Sequence, residues 1–255
     1  MKHILVPTDF SPDSERAILL ACILAKALSA PIRLFHVFSG RDEPLCESNR
    51  TLEAEAENIR AQGVTCRPLL AELMPNTRIA NETESADVRL LVMGTHARHG
   101  LQRAVWGSFT ERALREAACP VISVNPQARI PEEVRVVVVG MDGSKLAEAA
   151  FEEVVRVAPG LGVRRLVLAH AAEEEGDNFS ASRWISVARE AGLEVEVETD
   201  RGAPLELILR VAAKHGADLI ALGTHGRSGV RRSLFGSVAE AVLRRAPCPV
   251  LTRRG

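Results

Sequence analysis

Ala217–Pro249, ADLIALGTHGRSGVRRSLFGSVAEAVLRRAPCP, passes from a short apolar run through a glycine-rich basic loop into an amphipathic stretch. Leu219, Ile220, Ala221 and Leu222, bounded by turn residues, read as a parallel strand buried on both faces. Gly223 ends it. Gly223, Gly226, Gly229 and Gly236 then let the backbone turn sharply and approach a ligand closely. Ser237 is the expected N-cap of the next helix, whose first-turn amides on Val238, Ala239 and Glu240 would face a phosphate. Arg227, Arg231 and Arg232 add positive charge to the loop, either solvated or on phosphate oxygens. A strand, a glycine loop and a helix N-terminus in that order make an anion site.

The same order occurs once before. GTHARHGLQRAVWGSFTERALREAACPVISV, from Gly94, aligns without a gap on GTHGRSGVRRSLFGSVAEAVLRRAPCPVLTR, from Gly223, and about half of the positions are identical. The openings also correspond: HILVPTDFSPDSERAILLACILA from His3, and VVVVGMDGSKLAEAAFEEVVRVA from Val136. The chain is therefore read as a duplicated domain, residues 1–128 and 132–255, joined through the proline-bearing stretch between Val124 and Val134. In the first repeat, strands are expected at Ile4–Val6, Ile32–Val37, Val64–Ala71, Val88–Met93 and Pro120–Val124. Helices are expected after Ser11-Pro12, over Leu52–Ala61, from Pro75 and over Ser108–Ala118. The second repeat reads as strands Val134–Gly140, Arg165–His170 and Leu193–Thr199, with helices from Ser144 through Val157, over Ser182–Ala191 and over Pro204–His215. Such βα alternation gives an α/β fold: two tandem open parallel five-stranded sheets with helices on both faces.

Charge and cysteine content restrict function more than they define it. Thirty-two basic and thirty-three acidic residues leave a net charge of −1, so no general attraction to nucleic acid or to an anionic membrane is expected. Cys22, Cys46, Cys66, Cys119 and Cys248 show neither a CxxC pair nor zinc-ligand spacing, and their odd number argues against a disulfide framework. No apolar run reaches bilayer length, and MKHILVPTDF runs directly into a strand pattern, so a cytoplasmic protein is expected.

Competing phosphate chemistries are absent. There is no G-x4-G-K-[ST], Gly160-Leu161-Gly162 lacks the third glycine of a dinucleotide fingerprint, and no G-x-S-x-G occurs. No general base or nucleophile clusters near the loop, so catalytic residues are not expected. His96, His99 and His36 lack a fixed carboxylate or cysteine partner, and His225 repeats His96, so a structural role is expected rather than a metal site.

The pattern Gly223-x2-Gly226-x9-Gly236-Ser237 resembles the nucleotide-binding signature of the universal stress protein family, and the duplication extends the resemblance over almost the whole chain as a tandem pair. The resemblance implies an adenine-nucleotide alpha-hydrolase-like sheet of strand order 3-2-1-4-5 in each repeat. It implies ATP, or AMP or ADP, as ligand, with Mg or Mn bridging the phosphates. It places Asp9 and Asp142 beside the adenine or ribose and the backbone of Val37 and Ala171 on the adenine edge. Gly94, Gly107 and Ser108, with Gly223, Gly226, Gly229, Gly236, Ser237 and Val238, would take the phosphates. Ala97 stands where Gly226 stands in the second repeat, so the first site is expected to be weaker or to take fewer phosphates. The function implied is a regulatory nucleotide-binding protein of the stress-response type. A slow ATP-hydrolysing or nucleotide-dependent enzyme of the same fold group is the alternative. The last strands, Val121–Val124 and Val250–Thr252, would leave apolar edges and are expected to pair the two domains within the chain, with a homodimer as a further arrangement.

Overall fold

The computed structural model describes residues 2–38, 44–72, 79–84, 87–95, 108–172, 179–224 and 236–254. The chain divides into two compact units, Met1–Pro126 and Gln127–Gly255. The first contains β1 (His3–Pro7), α1 (Pro12–Leu28), β2 (Ile32–Phe38), α2 (Leu45–Ala61), β3 (Cys66–Glu72), α3 (Ile79–Glu84), β4 (Val88–Gly94), α4 (Ser108–Glu116) and β5 (Val121–Val124). Its strands are parallel and lie in the order β3-β2-β1-β4-β5. The second contains β6 (Val136–Gly140), α5 (Lys145–Leu161), β7 (Arg165–Ala172), α6 (Ser182–Glu190), β8 (Glu194–Arg201), α7 (Pro204–His215), β9 (Leu219–Gly223), α8 (Ser237–Arg245) and β10 (Val250–Arg253). Here the order is β8-β7-β6-β9-β10, again parallel. Each sheet thus has the 3-2-1-4-5 order.

Local chemistry explains the element boundaries. Ile4, Leu5 and Val6 are wholly buried, as are Val137, Val138 and Val139, because helices cover both faces of a central parallel strand. Ser11 caps α1 by accepting from the Ser14 amide, Pro12 takes the first turn, and Ser29 closes the helix in the left-handed conformation. Ser144 caps α5 in the same way through the Ala147 amide, and Gly162 closes it at φ 77°. That helix runs past its expected end at Val157 and through Pro159, since Ala158 and Leu161 are buried in its last turn. The helix α2 begins at Leu45 rather than Leu52, because Ser48 extends the buried stripe of Leu52, Ala56 and Ile59 by one turn. Pro75, the expected start of the next helix, lies outside the described residues. In the second unit, Phe151 of α5 meets Trp184 of α6 edge to face at 5.1 Å between ring centroids. Among the described residues no helix is long and apolar enough to cross a membrane.

Candidate functional site

Placing β6 beside β9 brings their carboxyl ends together, where an open parallel sheet forms a crevice. In the second unit that crevice has a volume of about 210 Å³. Asp142 and Ala171 line it from the ends of β6 and β7, and Gly223, Gly236, Ser237 and Val238 line it from β9 and the start of α8. Six of the residues expected at a ligand therefore converge from four elements. Met141, Leu207, Ile208 and Leu222 give the same crevice an apolar wall. Gly226 and Gly229, with Arg227, Arg231, Arg232 and His225, lie outside the described residues.

Two details differ from the expectation at α8. Gly236, not Ser237, is the N-cap, with φ −67° and ψ 135°; Ser237 is the first helical residue. The Gly236 amide donates to the Thr224 carbonyl at 2.8 Å, and the Glu240 amide is taken by the Gly236 carbonyl at 2.9 Å. The amides without an intrahelical acceptor are therefore those of Ser237, Val238 and Ala239, one residue earlier than expected. All three residues line the crevice. The backbone of Gly236 is one that any residue adopts, so no strain requires glycine there.

Gly223 is required for another reason. A Cβ there would lie 2.6 Å from the carbonyl carbon of Leu146 and 2.8 Å from the Ala147 nitrogen, so α5 packs directly on the end of β9. A Cβ on Gly94 in the first unit would likewise lie 2.8 Å from the Asp13 carbonyl oxygen. These glycines admit a helix to the end of the strand.

The aspartates are fixed by their own turns. Asp142 Oδ1 accepts from the Ser144 amide at 2.9 Å, and Asp9 Oδ1 from the Ser11 amide at 3.1 Å. A second restraint comes from a histidine that sequence reasoning passed over. His170 Nδ1 lies 2.7 Å from the Met141 carbonyl oxygen, and its ring stacks on Phe179 at 3.9 Å. His36 repeats the arrangement, with Nδ1 2.8 Å from the Thr8 carbonyl and Phe10 against the ring at 4.4 Å. Each carbonyl belongs to the residue before the aspartate, so the second strand of each unit holds the exit of the first. The signal was available: a histidine near the end of the second strand in both repeats.

In the first unit, Asp9 follows β1, Val37 lies in β2, Gly94 ends β4 and Ser108 begins α4. Ala97 and Gly107 lie outside the described residues, as do His96 and His99. The hydroxyl of Thr110 is directed at the carbonyls of Gly94 and Thr95, at 3.4 and 3.3 Å. Glu55 of α2 adds a carboxyl group that burial pushes up from its ordinary value; a Thr8 hydrogen bond opposes the shift, while the charges of Glu15 and Asp9 reinforce it.

Away from the crevice, Glu196 and Glu198 of β8 and His215 of α7 bring metal-ligand atoms within 4.8 Å of one another. The arrangement is an ion-pair network: His215 Nε2 faces Glu198 at 2.8 Å, Lys214 faces Glu198 at 2.6 Å and Arg165 faces Glu196 at 3.0 Å. Burial pushes the thiols of Cys66 and Cys248 up to about 11 and about 12, so neither supplies a nucleophile near neutral pH.

The sequence pattern of the universal stress protein family matches residues 1–125 and 133–254. A universal stress protein of Mycolicibacterium smegmatis is 27% identical over 290 residues, covering 98% of this chain and 96% of the relative. One of Mycobacterium tuberculosis is 31% identical over 229 residues, covering 82% of this chain and 77% of the relative. The crystal structure of a universal stress protein from Archaeoglobus fulgidus has the same fold at TM-score 0.79 and 24% identity, covering 99% of this chain and 98% of that one. A double match to the family pattern, on a chain whose two units share one parallel topology, makes this protein a member of the universal stress protein family.

Proposed function

We propose that the chain is a regulatory adenine-nucleotide-binding protein of the stress-response type, with its principal site in the crevice of the second unit. The observation that carries this reading is the meeting of Asp142, the β7 end at Ala171 and the amides of Ser237, Val238 and Ala239, which have no intrahelical acceptor, around one apolar-walled cleft. Its 210 Å³ is below the ~300–1,000 Å³ of pockets that enclose a whole drug-sized ligand. A base with its ribose fills it, and the phosphates extend along the α8 N-terminus, where the helix dipole and the amides favour negative charge. Asp142, held by the Ser144 amide, is positioned to accept from a ribose hydroxyl. The backbone at Ala171 offers an amide and a carbonyl to the purine edge. ATP, ADP and AMP share these contacts; Mg or Mn bound with ATP would offset charge between its phosphates.

The test is titration of the whole chain with ATP, ADP and AMP by calorimetry, together with identification of any small molecule released on denaturation. Saturable binding abolished by Gly236→Val supports the reading; unchanged affinity and stoichiometry in that variant overturn it. Slow hydrolysis is separated from pure binding by phosphate release with Mg or Mn, and a rate above roughly one per second, an ordinary enzyme value, would replace the regulatory reading by the enzymatic one.

A further inference from the structure

At the opposite end of the first sheet from Asp9, the amino ends of β1, β2 and β3 and the approach to β4 frame a cleft of about 740 Å³. His3, Lys26, Ser29, Arg33, Arg67 and Asp87 provide its polar lining. Arg33 and Arg67 are register partners on neighbouring parallel strands, so their side chains leave the same face one strand apart. Like charges placed side by side destabilise a sheet unless something lies between them. Lys26, Arg33 and Arg67 form no ion pair with a carboxylate among the described residues, and Asp87 is the one carboxylate lining the cleft. A basic residue in the last turn of α1 is accounted for by the helix dipole, which covers Lys26 and leaves both arginines unexplained.

The fourth group is His3. It is 5% exposed, and its Nε2 is buried without a hydrogen-bond partner among the described residues. An unpartnered ring nitrogen at such burial is uncommon, because the desolvation it suffers is returned only by a partner. Burial, and next the Arg33 charge, hold the imidazole below its ordinary value. The second unit provides the contrast. Its third strand, β8, carries Glu196 and Glu198, which are met by Arg165, Lys214 and His215 from the same unit. Charge there is balanced internally; in the first unit three cations and an imidazole share one carboxylate.

We propose that this cleft is a binding site for a small phosphate-bearing anion, held by the paired guanidinium groups of Arg33 and Arg67, by Lys26 and by the ring of His3. Guanidinium forks bind phosphate oxygens in pairs, and an anion between them removes the repulsion that their register creates. The site is separate from the proposed nucleotide crevice and stands whether or not that crevice binds a nucleotide.

The experiment titrates the full chain with inorganic phosphate and follows the His3 ring signals by NMR, identified by their loss in His3→Gln. Saturable shifts of the His3 signals are expected in the wild type and in Gly236→Val. In the double variant Arg33→Gln/Arg67→Gln the affinity should fall by about tenfold or more, the loss of charge-assisted hydrogen bonds to one anion. Arg67→Gln alone changes an exposed side chain, and it should weaken binding by a smaller factor without lowering the melting temperature. The proposal is overturned if the His3 signals do not saturate, or if the folded double variant or Arg67→Gln binds as the wild type does. It is equally overturned if Gly236→Val alone abolishes the effect, since the anion would then sit at the other site.

Discussion

At the third position of α8, Ala239 lines the crevice of the second unit; at the third position of α4, Thr110 instead turns its hydroxyl to the carbonyls that end β4. The first unit also brings the buried carboxyl group of Glu55 to the neighbourhood of Asp9, whereas the buried residues of the matching helix α6 are Trp184 and Ala188. The two units share a sheet order, a capped first helix and a histidine-pinned aspartate. They differ in the side chains at the third position of the last helix and on the second helix. A duplicated scaffold can therefore keep its packing in both copies while the side chains beside the first strand and the last helix diverge.

The largest effect should fall on what the units share. Gly94→Ala and Gly223→Ala each drive a Cβ into the backbone of the first helix, at 2.8 and 2.6 Å respectively. Each should cost about 3 kcal/mol, as overpacking against a part that cannot yield does. Denaturant unfolding of both variants checks this; a loss in one unit only would break the likeness between them. Next, Gly236→Val should lower ATP affinity at the second unit by about a hundredfold through lost amide–phosphate contacts. Because its φ and ψ suit any residue, the variant should stay folded, with its melting temperature lowered only by the small cost of valine at an N-cap. A variant that loses binding and stability together would show that the glycine serves the fold.

A reciprocal pair gives a smaller effect. Ala97→Gly should strengthen nucleotide binding at the first unit by about tenfold, and Gly226→Ala should weaken the second by a similar factor, if a left-handed backbone costing roughly 1–2 kcal/mol for alanine decides both. If Ala97→Gly gains nothing, something other than Ala97 limits the first unit, and Thr110→Ala becomes the informative variant. The smallest effect concerns Glu55. Its raised pKa means that the folded state holds the proton more tightly than the unfolded chain does. Its contribution to stability is therefore present at low pH and is lost as pH rises from 4.5 through the folded value. Glu55→Gln should flatten that part of the melting-temperature profile and leave the variant the more stable of the two at neutral pH. An unchanged profile would show that Glu55 titrates as a solvated carboxyl does.

Much of this arrangement was legible in the chain because it is local. Short continuous apolar runs mark β1 and β6, the Ser11-Pro12 start marks α1, and Pro204 and Gly216 bound α7, all without reference to any distant residue, and the duplication shows that both halves build the same α/β sheet. The glycine pattern identified the family. It did not distinguish Gly223, whose missing Cβ makes room for Leu146 and Ala147, from Gly236, which caps α8 with a backbone that any residue adopts, since the two differ only in their place in the fold.

By itself, the sequence determined the two-fold repeat, the parallel topology and the aspartate at the end of each first strand, because periodicity, capping and turn chemistry act over a few residues. Only the tertiary structure decided which amides of α8 have no intrahelical acceptor, that His36 and His170 hold the carbonyls before those aspartates, and that Arg33 and Arg67 stand side by side beside a buried imidazole. Each of these depends on strand register and on the close approach of groups far apart in the chain, which no local pattern records.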